Sequence, residues 1–162
     1  MPATPEQPLV TERKDPLTED PLLGFNFMLQ LEGAAAGYFT ECSGIGSEHE
    51  VIEHKVVDES GHEIVRKIPG RLKYTDVTLK RGITTDMSIW EWRQDAVKGD
   101  MGTARKNCSI TMLDRAYSPV AIWHFYNAWP SKVSGPNLKA DSNEFGVEEV
   151  TIVHEGMWRE KM

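Results

Sequence analysis

Two cysteines in 162 residues, Cys42 and Cys108, are too few for a disulfide framework and fit a reducing compartment. A chain of this length buries roughly 68–70% of the surface it exposes when unfolded, so one domain stands without disulfides or metal. No apolar run approaches a membrane span, and MPATPEQPLVTERKDPLTEDP at the start lacks the apolar stretch of a secretory signal. The expectation is a soluble protein made in the cytoplasm, without a membrane anchor. Positive charge is also short. With 18 Lys and Arg against 25 Asp and Glu, the formal net charge is −7, which argues against a general polyanion binder.

Catalytic and ligand motifs are missing as well. His-Glu occurs at His49–Glu50, His62–Glu63 and His154–Glu155, but none continues into HExxH, so a zinc-protease helix is excluded. Neither cysteine has a CxxC partner for a structural zinc site. Gly44 and Gly46 form a GxG without the third glycine or a following Lys-Ser/Thr, and no GxSxG surrounds a serine. The NCS at Asn107 to Ser109 matches a glycosylation acceptor but carries no weight without a secretory signal. One constellation is left. Cys108, His124 and His154 fall in predicted strands and would form a metal-assisted hydrolytic site if those strands met, although ordinary core or strand-face positions are far commoner. No cofactor is expected.

What the chain does have is short strands. Residues 1–22, rich in Pro, Glu, Thr and Lys, read as a flexible N-terminal arm. In FNFMLQLEG, Phe25, Phe27, Leu29 and Leu31 alternate with polar residues, the period of a half-buried strand. AAAGYFTECSGIG reads as a turn, a short strand from Tyr38 to Cys42, and another turn. SEHEVIEHKVVDESGHEIVRKIPG reads as a polar hairpin turning at Asp58 to Gly61, followed by the strand YTDVTLKRG. Between them, Pro69–Gly70 reads as a second turn. In TTDMSIWEWRQDAVKGD the spacing of Ile89, Trp92, Ala96 and Val97 becomes helical, with Thr85 or Asp86 to cap the start and Gly99 the end. NCSITMLD, PVAIWHFYNAWP and FGVEEVTIVHEG complete the strands. Many strands and one helix predict a mainly β protein, a β-sandwich or small barrel with one flanking α-helix.

The positive charge is unevenly placed. KIPGRLKYTDVTLKRGIT holds Lys67, Arg71, Lys73, Lys80 and Arg81 with Asp76 as its only acid. A solvated turn and strand end accounts for much of this. A nucleic-acid-binding β-domain acting through residues 67–81 is the alternative, although Tyr74 is the only aromatic there to stack on bases.

The segments GFNFMLQLEG, GYFTECSGIGSEHEVIEH, KIPGRLKYTDVTLKRGIT, the Trp-containing helix and AWPSKVSGPNLKADSNEFGVEEVTIVHEG, in this order, cover most of residues 24–157. In them the chain resembles the inner tube proteins of contractile phage tails and extracellular contractile injection systems. The resemblance implies a non-enzymatic tail tube domain over residues 23–158, with residues 159–162 as a C-terminal tail. It implies six copies in a ring, stacked rings, and neighbouring strands joined around a lumen that conducts DNA or effector proteins. It implies as partners a sheath protein, baseplate or hub proteins and tube-terminating proteins, all in an assembled tail or injection particle. Ring contacts are head-to-tail, so one chain must carry matching faces. Lys67, Arg71, Lys73, Lys80 and Arg81 are therefore expected to meet Glu48, Glu50, Glu53, Asp58 and Glu59 of an adjacent copy, with Trp129 adding apolar contact. Trp92 is expected in the core. Trp90, off the apolar stripe, is either core or sheath-facing. The N-terminal arm and the WREKM ending depart from the leanest family members and leave open a specialised tube-initiator ring beside the baseplate.

Overall fold

The computed structural model describes residues 26–136 and 146–162. The arm assigned to residues 1–22, Phe25, and the stretch 137–145 lie outside the described residues.

The first alternating segment is β1 (Asn26–Leu31), with Leu29 fully buried and Phe27 and Leu31 against the core. Glu32 and Gly33, at φ 49° and 87°, turn the chain into β2 (Ala34–Phe39), with Leu31 opposite Ala34. Two left-handed residues match the twist of the flanking strands. The expected turn over the alanines is thus a strand. Alanine carries little β preference, but β1 supplies the pairing and Ala36 packs in the core. The strand then breaks at Thr40, and β3 (Glu41–Ser43) pairs with a different partner.

The hairpin is β4 (Ser47–Val57) and β5 (Glu63–Tyr74). Its turn falls where expected, with Asp58 Oδ1 accepting the N–H groups of Ser60 at 3.0 Å and His62 at 2.8 Å. Pro69–Gly70 makes no turn. Val51 faces Pro69 and His49 faces Leu72, so Gly70 and Arg71 form a bulge opposite Glu50, and β5 runs on to Tyr74. A bulge tolerates the missing proline donor. At Gly70 a Cβ would lie 2.8 Å from the Glu50 carbonyl oxygen, so the close strand approach needs glycine.

Next comes β6 (Val77–Gly82), with Val77 and Leu79 inward as expected. The helix is α1 (Ser88–Val97). Met87 takes the formal cap position, and Asp86 instead accepts the Ser88 N–H at 3.0 Å and its hydroxyl at 2.7 Å. Gly99, at φ 81°, closes the end. Ile89 and Trp92 are buried, whereas Val97 is exposed in the last turn. A second helix, α2 (Met101–Ala104), is too short to show a period and rests on its Asp100 cap. The Trp92 indole N–H donates to the Ala104 carbonyl at 2.6 Å and ties the two helices together.

The remaining strands are β7 (Lys106–Leu113), β8 (Pro119–Ser134), β9 (Val147–Val153) and β10 (Gly156–Arg159). The four residues of β10 gave no pattern in sequence, and the segment set apart as a tail at 159–162 begins inside it. β8 passes through Asn127 at φ 48°; it pairs with β7 as far as Ala128 and with β10 as far as Tyr126, and from Trp129 onward it pairs with β9. Sharing one bent strand folds the eight-stranded sheet, ordered β2-β1-β7-β8-β9-β6-β3 with β10 on β8, over a single core. That core includes Phe39, Ile110, Phe125, Val150 and Ile152, with α1 packed against β8 and β2. The result is a β-sandwich with open edges; the sheet does not close into a barrel within one chain.

Candidate assembly surfaces

The β4–β5 ribbon stands apart from the sandwich as a separate two-stranded sheet. Residues directly opposite in an antiparallel pair share a face, and successive residues alternate. One face carries the pairs Ile52–Ile68, His54–Arg66 and Val56–Ile64. The other carries Val51–Pro69, Glu53–Lys67, Lys55–Val65 and Val57–Glu63. Neither meets the core: Ile52 is 53% exposed and Ile68 42% on the first, Val51 62% and Val65 51% on the second. An isolated two-stranded ribbon is marginal in water, and this one leaves scattered aliphatic groups uncovered on both sides.

The five cations do not form one patch. Lys67 and Arg71 are exposed on β5. Lys73 reaches Glu50 of its own ribbon, Nζ to Oε1 2.9 Å, in a pair open to solvent. Lys80 sits between Glu41 at 3.8 Å and Glu149 at 3.9 Å. Arg81 departs from expectation. Only 4% exposed, it bonds Glu148 from Nε to Oε2 at 3.2 Å and the Asp86 carbonyl at 3.3 Å, and lies 5.0 Å over the Phe39 ring. A guanidinium enclosed in this way is unavailable to another copy. The antiparallel register explains it: Lys80–Arg81 on β6 face Glu149–Glu148 on β9. The matching dipeptides KR and EE were the missed signal.

The acidic set is also divided. Glu48, Glu50, Glu53 and Glu59 are exposed along the ribbon and its tip. Asp58 is committed to the turn through its two backbone bonds. Trp129 is half-buried on β8 opposite Val153. Trp90 is half-buried too, and its indole N–H donates to Glu148 Oε1 at 3.1 Å, so it is fastened to the Arg81 pair. The Ser88 hydroxyl and amide hold the Asp86 carboxyl below its ordinary range, with nearby Arg81 adding to the effect.

The hydrolytic constellation is not assembled. His124 stacks on Trp158, ring centroids 4.4 Å apart, and its Nε2 lies 2.9 Å from Glu160 Oε2. Cys108 faces Phe125, the next residue along β8, and so projects from the opposite side of the sheet. His154 packs edge-on against Phe125, with Nε2 3.1 Å from the Thr75 carbonyl oxygen. Among the described residues no three His, Cys, Asp or Glu side chains could hold a metal together. Burial pushes both the Cys42 and Cys108 thiols up to about 12, so neither is a nucleophile at neutral pH.

Sequence reasoning also missed an aromatic pair at the sheet margin, Tyr38 on β2 and Tyr117, which meet edge to face at 6.5 Å and are both exposed. The turn holding Tyr117 gave no sign of its distance from β2.

No curated protein matches the chain. Solved structures share its fold. A chain from the extended sheath–tube complex of PVC, an extracellular contractile injection system, superposes with a TM-score of 0.68 at 21% identity over 90% of this chain and 95% of that one. A chain from the anti-feeding prophage tube-terminating cap gives 0.65 at 23% identity over 84% and 88%. One from the anti-feeding prophage baseplate gives 0.62 at 17% identity over 85% and 92%. At these identities the likeness is one of fold. The profile described as T4-like virus tail tube protein gp19 matches residues 23–158, nearly the whole sequence. The chain belongs to that tail tube family, as a structural subunit of an inner tube.

Proposed function

We propose that six copies of this subunit close into a ring and that the rings stack into a hollow conduit for DNA or effector proteins. The observation that carries this reading is the β4–β5 ribbon, a long projecting element with uncovered aliphatic residues. The open margins of the sandwich at β2 and β3 support it, because unpaired edges are a liability that pairing with further copies removes. Lys67, Arg71, Lys73 and Lys80 would pair with Glu48, Glu50, Glu53 and Glu59 of a neighbour and set register, with Trp129 adding apolar contact. Arg81 and Asp58 have no part in that exchange.

The partners that fit are a sheath protein, a baseplate or hub and a tube terminator, since the solved chains of like fold come from a sheath–tube complex, a cap and a baseplate. Synthesis in the cytoplasm and assembly into a tail or injection particle follow from this role, which involves no catalytic step. Among the described residues no helix is long and apolar enough to cross a membrane.

The test is negative-stain microscopy and light scattering of the purified protein, alone and with baseplate and sheath components. Rings or tubes with a central hole are expected. A strictly monomeric protein in every mixture sinks the reading. Tight, salt-sensitive DNA binding by the monomer would favour the nucleic-acid alternative instead.

A further inference from the structure

Among the described residues one buried side-chain nitrogen, Nδ1 of His154, has no hydrogen-bond partner, and it lies where the ribbon leaves the sandwich. His154 follows β9, and the antiparallel register that sets Val77 opposite Ile152 brings Thr75 beside it. Its Nε2 lies 3.1 Å from the Thr75 carbonyl oxygen, which can only accept, so Nε2 carries the proton and Nδ1 the lone pair. The ring is wedged between Tyr74, the last residue of β5, with centroids 5.4 Å apart, and Phe125 of the core at 4.8 Å. The Gly46 carbonyl, just before β4, accepts the Thr75 N–H at 3.1 Å, so His154 touches the root from which both ribbon strands start. Among the described residues the ribbon's own ion pairs and side-chain hydrogen bonds stay within it.

We propose that His154 is a proton-sensitive joint, fixing the ribbon root to the sandwich while its ring is neutral and releasing it when the ring takes up a proton. Imidazole is the side chain that changes charge between about pH 5 and 8. A proton added to Nδ1 makes a charged donor in an enclosed place without an acceptor. β5 offers only the phenol of Tyr74 and β8 the apolar ring of Phe125, while Asp76 beside Thr75 is exposed. Glu155, next in the chain, accepts from Asn127 Nδ2 at 2.8 Å. Added charge strengthens the Thr75 bond, but that bond exists already, whereas the stranded donor loses its full hydration. Turning Nδ1 toward water relieves this and breaks the bond to Thr75. The root then opens while the sandwich stays folded. The joint acts within one subunit and does not depend on the tube reading.

Hydrogen exchange of the full chain tests this, at a dilution where light scattering shows single subunits. Protection is read at about pH 7.5 and about pH 5.5, each normalised to the unfolded chain at the same pH. Wild type should lose at least about tenfold protection over residues 44–48 and 72–76 at the lower pH, with β7 unchanged. His154→Gln keeps an N–H for the Thr75 carbonyl and cannot titrate, so its root should be equally protected at both. His154→Phe keeps the ring packing without the donor, and its root should be less protected but equally indifferent to pH. His49, His54 and His62, exposed on the ribbon, stay in both variants. A wild-type root with the same protection at both pH values overturns the joint. So does an acid-induced loss of wild-type size in His154→Gln, which would assign the effect to the ribbon's own histidines.

Discussion

Arg81 and Glu148 form an enclosed ion pair that joins β6 to β9, and Trp90 on α1 donates its indole N–H to the same carboxylate. Arg81 also bonds the Asp86 carbonyl ahead of α1 and covers the Phe39 ring on β2. A segment read in sequence as a charged outer surface therefore holds the helix and the sheet margin in place. Removing one partner leaves the other charge buried and unpaired, which typically costs about 3–5 kcal/mol. Arg81→Ala should lower the unfolding free energy by that order in urea denaturation. Arg81→Met combined with Glu148→Leu should lose much less. Equal losses for the two would show that the charge interaction is not what matters.

Gly37 lies against the same guanidinium. At φ 149°, a Cβ placed there would collide with Arg81 Nη1. Gly37→Ala should cost about 1–3 kcal/mol through backbone strain and a displaced ion pair. Combined with Arg81→Ala, its cost should shrink, because the collision disappears; a double-mutant cycle in denaturant measures the coupling.

Trp92 is buried and bonded to Ala104. Trp92→Phe keeps most of the apolar volume but leaves the carbonyl unsatisfied, a loss of about 1–3 kcal/mol. Trp92→Ala should cost about 3–5 kcal/mol. Chemical denaturation followed by circular dichroism ranks the two.

The thiols give a pH signature. Unfolded cysteine loses its proton near pH 9.0, while in the fold burial raises both thiols to about 12. Between these values the native state holds protons that the unfolded state has released, so stability falls as pH rises. Below pH 9 the stabilisation is complete. The slope should be on the order of 1 kcal/mol per pH unit for each thiol. Cys108→Ser should remove about half of that slope and leave the Cys42 share, as read by denaturation from pH 8 to 11. Both thiols should resist aromatic disulfide reagents in native buffer and react in urea.

On the ribbon, charge should matter to assembly and little to folding. Lys67→Glu with Arg71→Glu should move monomer stability by no more than about 0.5 kcal/mol, since both side chains are exposed. Assembly should nevertheless fail at moderate salt and recover on mixing with a Glu48→Lys, Glu53→Lys partner. Normal tubes from the lysine and arginine variant would remove those two cations from the proposed contacts.

Much of the fold was legible because its signals are local. Alternation in residues 26–31 and 77–82, the change to helical spacing at Ile89 and Trp92, and the turn at Asp58 each lie within a few residues. The errors have a common source. The alanines of β2 become a strand because β1 pairs with them, Pro69–Gly70 becomes a bulge because Glu50 and Val51 lie opposite, and β10 exists because β8 offers an edge. These are decisions of partners distant in sequence.

By itself the sequence determined a mainly β domain with a Trp-bearing helix, a polar hairpin and a tail-tube pattern, since strand period, helix period and turn chemistry are written in near neighbours. Tertiary structure decided which charges are available. Lys80–Arg81 meet Glu149–Glu148 about 70 residues away through the pairing of β6 with β9. That register places Arg81 inside the protein, whereas Lys67 and Arg71, on the separate β4–β5 ribbon, stay outside, although all belong to the same basic stretch. Position along a strand sets which face a side chain takes, but the partner strand sets whether that face meets protein or water.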